Sequence, residues 1–155
     1  MNILVKLLAS GLFTGYVPKG SGTVASLLAC GVWLFLSGHS YYFIVPLLVT
    51  VAGFFISGYA EKNLFGEPDS RKIVIDEIAG MLVTYLSFSF SLTMQGLVYG
   101  IAGFLFFRIF DIFKPGPLGM IQKIRGGPGI MLDDLASGAL ANGLLQLVRL
   151  FVFHR

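Results

Sequence analysis

No formal charge falls between Gly20 and Ala60, with His39 counted neutral, and none falls between Ile78 and Phe107. A helix crosses about 30 Å of hydrocarbon in about 20 residues, so the first run is too long for one crossing. It breaks at Ser37-Gly38-His39-Ser40, where polar and turn-forming residues cluster. That pattern predicts a helical hairpin from residues 23–36 and 41–60. The second run, taken with its charged ends, repeats the arrangement. Helical stretches over 73–88 and 97–113 are joined by a charge-free polar turn at 89–96, and an apolar stretch over 130–151 predicts a fifth helix. Residues 1–13 hold a short apolar stretch with one lysine, Lys6, and no small-x-small cleavage site follows. They read as an interfacial or partly re-entrant helix rather than a signal peptide. The expected fold is all-α. It is a polytopic membrane bundle of about five transmembrane or interfacial helices, two hairpins plus a C-terminal helix, in a single domain over 1–155.

Composition removes several classes of function. Of 155 residues, 55% are hydrophobic and only 12% are charged, and the mean hydropathy is +0.82. Soluble domains carry about 25% charged residues, so a soluble globular enzyme and a disordered tail are both excluded. A net charge of +3 suits contact with anionic lipid better than binding to nucleic acid. The single cysteine, Cys30, lies in apolar sequence, leaving no disulfide framework and no cysteine-based metal site. Hairpin parity then places Lys19, the 61–72 loop and the 108–128 segment at one membrane face. That face collects Lys19, Lys62, Arg71, Lys72, Arg108, Lys114, Lys123 and Arg125, while the opposite turns hold neither Lys nor Arg. The positive-inside rule makes it cytoplasmic. Arg149 and Arg155 are the exceptions if the last helix spans fully.

The carboxylates carry the candidate chemistry. Of the eight (Glu61, Glu67, Asp69, Asp76, Glu77, Asp111, Asp133 and Asp134), five sit at predicted helix ends. Asp76 and Glu77 begin the third helix, Asp111 ends the fourth, and Asp133 and Asp134 begin the fifth. Acids at a membrane boundary are costly and mark a functional site by default. Helix capping would account for those at N-termini, worth about 0.3–1 kcal/mol each, but not for Asp111 at a C-terminus. Five acids in one place raise one another's pKa, and a divalent cation relieves that. Oxygen ligands without His or Cys favour Mg²⁺ or Mn²⁺ over zinc. Arg108, Asp111 and Lys114 follow at i, i+3 and i+6, close together on one helix, either as an intrahelical pair with a snorkelling lysine or as part of the site.

Two glycine-rich loops complete the picture. Gly15-Tyr16-Val17-Pro18-Lys19-Gly20-Ser21-Gly22-Thr23 runs into the first long helix, offering backbone N–H groups, the Lys19 charge and the Ser21 and Thr23 hydroxyls to an oxyanion. It is not a Walker A loop, because the lysine precedes the glycines. The plainer reading is a flexible loop with Thr23 as N-cap. Gly126-Gly127-Pro128-Gly129 turns the chain back just before Asp133 and Asp134.

Together these motifs resemble the phosphatidylglycerophosphatase A family over nearly the whole chain and in order. The resemblance rests on Val17-Pro18-Lys19-Gly20-Ser21-Gly22-Thr23, then on Ile75-Asp76-Glu77-Ile78-Ala79-Gly80. It continues in Phe107-Arg108-Ile109-Phe110-Asp111-Ile112-Phe113-Lys114-Pro115-Gly116-Pro117 and in Gly126-Gly127-Pro128-Gly129-Ile130-Met131-Leu132-Asp133-Asp134. The first loop departs from the family, with Gly20-Ser21 where Ala-Pro is usual. The resemblance implies a Mg²⁺-dependent phosphatase in the bacterial inner membrane, its site facing the cytoplasm, that converts phosphatidylglycerophosphate to phosphatidylglycerol. Asp76, Glu77, Asp111, Asp133 and Asp134 would serve as catalytic and metal-binding residues, and Lys19, Thr23, Arg108 and Lys114 would bind the substrate phosphate. The principal alternative is a small cation transporter or channel, which predicts acids spread through the bilayer depth rather than gathered at one face. A CDP-alcohol phosphotransferase would need an Asp-Gly-x2-Ala-Arg string, and none occurs.

Overall fold

The computed structural model describes residues 2–68, 70–116, 118, 124 and 126–153. Asp69, Pro117, Gln122, Lys123, Arg125 and Arg155 lie outside the described residues. Among the described residues six α-helices follow in order: α1 (Asn2–Ala9), α2 (Ser21–Leu36), α3 (Ile44–Ala60), α4 (Ile75–Thr84), α5 (Met94–Phe113) and α6 (Gly127–Phe153). A 3₁₀ turn at Thr14–Tyr16 precedes α2, and a single π turn, Glu61–Phe65, extends α3. There is no strand among the described residues, as the apolar pattern requires.

The first hairpin forms where the polar break predicts it. α2 starts two residues earlier than expected, after Gly20 at φ 73°, so Gly20 and not Thr23 occupies the N-cap. Thr93 caps α5, its Oγ1 accepting from the Gly96 N–H at 3.2 Å. α6 is longer than predicted, with 27 residues, and its start at Gly127 places Asp133 and Asp134 in its second turn. A helix-capping role for these two acids is thereby removed.

The third helix is the principal difference from expectation. A helix over 73–88 shrinks to the ten residues of α4, about 15 Å long and half a hydrocarbon core. Its carbonyl ends are satisfied from a distant part of the chain. Asn142 Nδ2 on α6 donates to the carbonyls of Val83, Thr84 and Leu86 at 3.4, 2.9 and 2.7 Å. The chain beyond then runs non-helically, and α2 supplies its partners. Trp33 Nε1 donates to Phe88 O at 2.7 Å, Ser37 Oγ accepts from Phe90 N at 2.8 Å, and Ser89 Oγ donates to Ser37 O at 3.1 Å. Irregular backbone within a membrane bundle is tolerated only when protein meets its hydrogen bonds in this way.

Among the described residues three helices are long and apolar enough to cross a membrane: α3 with its π turn (Ile44–Phe65), α5, and α6 over Gly127–Val152. α2 is shorter, and α4 sits among the others as a buried hub, packed against α2, α3, α5 and α6. Its close approach to α6 needs small residues on both sides. A Cβ on Gly80 would lie 2.5 Å from Asp134 O and 2.6 Å from a Phe107 ring carbon, and one on Gly138 would strike Gly80 O. Around this crossing the core gathers Trp33, Met81, Leu82, Tyr85, Phe107 and Leu145, with Trp33 and Tyr85 stacked 4.1 Å apart. Large apolar side chains cover the outside of the bundle, as at Phe35 (81% exposed) and Phe55 (76%), a surface suited to lipid and not to water. The hydrogen bonds between 37 and 89–90 place both charge-free turns at one end. The charged loops occupy the other.

Candidate active site

At the charged end a cavity of about 690 Å³ opens between the π turn, α4, α5 and α6, and all five predicted acids line it: Asp76, Glu77, Asp111, Asp133 and Asp134. They arrive from three helices because α4 begins, α5 ends and α6 makes its second turn at the same level. Asp76, Asp133 and Asp134 are buried. Bringing the α6 acids to the start of α4 depends on the Gly80–Gly138 crossing, which leaves no space for a side chain between the two helices.

The five do not act alike. Asp76, Glu77 and Asp134 each offer a carboxylate oxygen within 4.8 Å of the others. Glu77 Oε2 and Asp134 Oδ2 are shielded from solvent with no hydrogen-bond partner among the described residues. Buried carboxylate oxygens left so are strongly disfavoured unless a cation or proton joins them, and the oxygen-only donor set fits Mg²⁺. Asp111 and Asp133 have cations of their own. Arg108 Nη1 lies 2.6 Å from Asp111 Oδ2, offsetting a negative charge at a helix C-terminus. Lys114, which caps α5 in the left-handed region at φ 43°, forms an ion pair with Asp133. Burial alone would pull the Lys114 ammonium down. The hydrogen bond to Asp133 and the charges of Asp133, Asp134 and Asp111 outweigh it and hold the group above the ordinary lysine value.

The predicted phosphate-binding residues divide as well. Lys114 lines the acidic cavity. Arg108 and Lys19 line a neighbouring cavity instead. Arg108 reaches the acids through its pair with Asp111, with Nη1 also 3.4 Å from Ser26 Oγ and its buried Nε without a hydrogen-bond partner among the described residues. Thr23 lines neither. Gly22, in the first turn of α2, serves close packing, since a Cβ there would run into the Glu77 carboxylate and sit 3.2 Å from Arg108 Nη1. Sequence reasoning used Glu61, Arg71 and Lys72 only to orient the chain. Glu61 also lines the acidic cavity, and Arg71 and Lys72 line its neighbour. Glu61 closes the first charge-free run and Arg71 and Lys72 close the 61–72 loop, and that was the available signal.

An apolar helical bundle that gathers buried carboxylates, an arginine and a lysine at one end is the architecture of a membrane-associated enzyme acting on an anionic group. The family model described as phosphatidylglycerophosphatase A matches residues 7–149. A phosphatidylglycerophosphatase A of Escherichia coli strain K12 is 34% identical over 146 residues, covering 92% of this chain and 81% of that protein. One from Haemophilus influenzae is 32% identical over 141 residues, covering 88% and 83%. A Bacteroides thetaiotaomicron protein named "Putative phosphatidylinositol-3-phosphatase" is 31% identical over 160 residues, covering 96% and 95%. No solved structure matches. The chain belongs to the phosphatidylglycerophosphatase A family, and it is a phosphatase.

Proposed function

We propose that this protein is a Mg²⁺-dependent lipid phosphomonoesterase of the bacterial inner membrane that hydrolyses phosphatidylglycerophosphate to phosphatidylglycerol and phosphate, its site open to the cytoplasm. The observation that carries this reading is the convergence of Asp76, Glu77 and Asp134 in a cavity at one end of an apolar bundle. Family membership supports the substrate, and the orientation rests on Lys19, Lys62, Arg71, Lys72, Arg108 and Lys114 at the charged end, against Arg149 near the far end of the 27-residue α6. Acids gathered at one end, and not spread along the helices, count against a cation pathway.

Asp76, Glu77 and Asp134 would hold the metal. When bound, it neutralises phosphate charge and makes a coordinated water a better nucleophile. Diacylglycerol stays in the bilayer while the headgroup enters the cavity. Lys114 offers a point charge to the phosphoryl oxygens, and Arg108 offers a fork. Both stay close to carboxylates, Asp133 and Asp111, that keep them in position until substrate arrives. In hydrolysis a water oxygen bonds to phosphorus as the bond to the glycerol oxygen breaks. One carboxylate of the cavity takes a proton from the water, a protonated carboxyl of the cavity gives one to the departing oxygen, which becomes the glycerol hydroxyl, and the water's other proton stays with the released phosphate.

The test is phosphate release by purified protein in mixed micelles, with phosphatidylglycerophosphate and with phosphatidylinositol 3-phosphate as a competing substrate. EDTA should abolish release from the former and Mg²⁺ should restore it. Full activity after thorough chelation, or turnover confined to the inositol lipid, would refute the reading.

A further inference from the structure

Beside the acidic cavity lies a second one, of about 580 Å³, with basic walls. Lys19 comes from the glycine-rich loop, Arg71 and Lys72 from the segment leading into α4, and Arg108 from α5. Glu77 lines both cavities, so they meet at that carboxylate. On one side of Glu77 stand the other acids, and on the other side stand four cations. Among the described residues, Lys19, Arg71 and Lys72 form no ion pair, and Glu77 is the one carboxylate on a wall that carries four cations.

The cavity is built, not an accident of loose loops. Ser21 Oγ donates to Arg71 O at 3.1 Å, fastening the glycine-rich loop to the α4 leader. The Lys72 ammonium lies 5.8 Å from the centroid of the Tyr16 ring and 5.7 Å from that of Phe65, contacts that orient a cation without neutralising it. Arg108, on the wall of this cavity, has a buried Nε without a hydrogen-bond partner among the described residues.

A headgroup bearing one phosphate would need only the acidic cavity with Lys114, and Arg108 beside it. A headgroup with a terminal phosphomonoester and an inner phosphodiester, joined through glycerol, presents two anions a short distance apart. We infer that the basic cavity receives the inner phosphodiester while the terminal phosphomonoester lies against the acids, which makes Arg71 and Lys72 specificity-determining residues for two-phosphate headgroups. This inference rests on the phosphatidylglycerophosphate reading above.

The experiment compares kcat/KM for phosphatidylglycerophosphate with that for phosphatidic acid of the same acyl chains, using the full chain in mixed micelles. The wild type favours the two-phosphate lipid. In R71Q/K72Q that preference falls about tenfold or more, chiefly through KM, because charge-assisted contacts to the diester are lost, whereas R71K/K72R keeps most of it. A preference unchanged in R71Q/K72Q, whether both rates fall together or neither falls, overturns the inference. A competition measurement on unmutated protein decides the matter independently of how the variants fold. Glycerol 1,3-bisphosphate should inhibit at least tenfold more tightly than glycerol 3-phosphate, and equal inhibition overturns the two-anion site. Wild-type protein that releases phosphate from neither lipid refutes the proposed activity together with its subsite. Wild-type turnover with an insensitive preference refutes the subsite alone.

Discussion

Replacing Arg108 with lysine separates a phosphate-gripping arginine from one that merely neutralises its neighbour. Arg108 is half-buried on the last turns of α5 and spends a single nitrogen, Nη1, on both Asp111 at 2.6 Å and Ser26 at 3.4 Å. Its Nε is buried with no hydrogen-bond partner among the described residues, so Nη1 alone carries the contacts of the guanidinium to the protein. A lysine can rebuild the Asp111 contact, because that contact needs one nitrogen. It cannot present two parallel donors. A hydrogen bond to a charged group contributes about 1.5–3 kcal/mol, and each 1.36 kcal/mol of transition-state stabilisation is tenfold in rate. Arg108→Lys should therefore lower kcat/KM by roughly 10- to 150-fold. Phosphate release from micellar substrate measures it, with thermal unfolding in detergent as the control for folding. A folded Arg108→Lys protein with near-normal kcat/KM would return Arg108 to the role of intrahelical partner for Asp111.

Asn142→Ala should destabilise the protein by about 2–3 kcal/mol by removing the donor that three α4 carbonyls share, and an unchanged unfolding temperature in detergent would show that α4 needs no such cap. Asn63 and Ser40 are exposed at opposite ends of the bundle. In a Cys30→Ala background, a cysteine at Asn63 should react with an impermeant thiol reagent only from the cytoplasmic side and one at Ser40 only from outside; the reverse pattern would invert the orientation.

The parts of this molecule that could be read from its sequence were those governed by local chemistry. Charge-free runs broken by Ser37-Gly38-His39-Ser40 gave the first hairpin, and acids at helix ends gave the cavity. What escaped was fixed by partners far along the chain. Residues 85–88 are as apolar as those before them, and nothing nearby says that the helix stops at Thr84. It stops where Asn142 on α6 takes its carbonyls and Trp33 on α2 takes the backbone of Phe88. The division of five similar carboxylates has the same origin. Asp133 differs from Asp134 because its rotation about α6 turns it toward Lys114, whereas Asp134 turns toward Asp76 and Glu77. Arg71 and Lys72 looked like topological markers because their relation to Lys19 exists only once Ser21 is tied to Arg71.

The shortness of α4 has a mechanical consequence. Bilayers differ in thickness, and a spanning helix whose apolar length does not match must tilt, bend or deform the lipid around it. That load falls on α3, α5 and α6, whose outer faces are apolar. α4, with seven of its ten residues buried, has little hydrophobic length of its own to match. Asp76 and Glu77 thus ride on an element insulated from membrane strain, and the Gly80–Gly138 crossing carries Asp134 with them. Changes in lipid composition would reach the three carboxylates as a joint displacement before they altered the spacing among them.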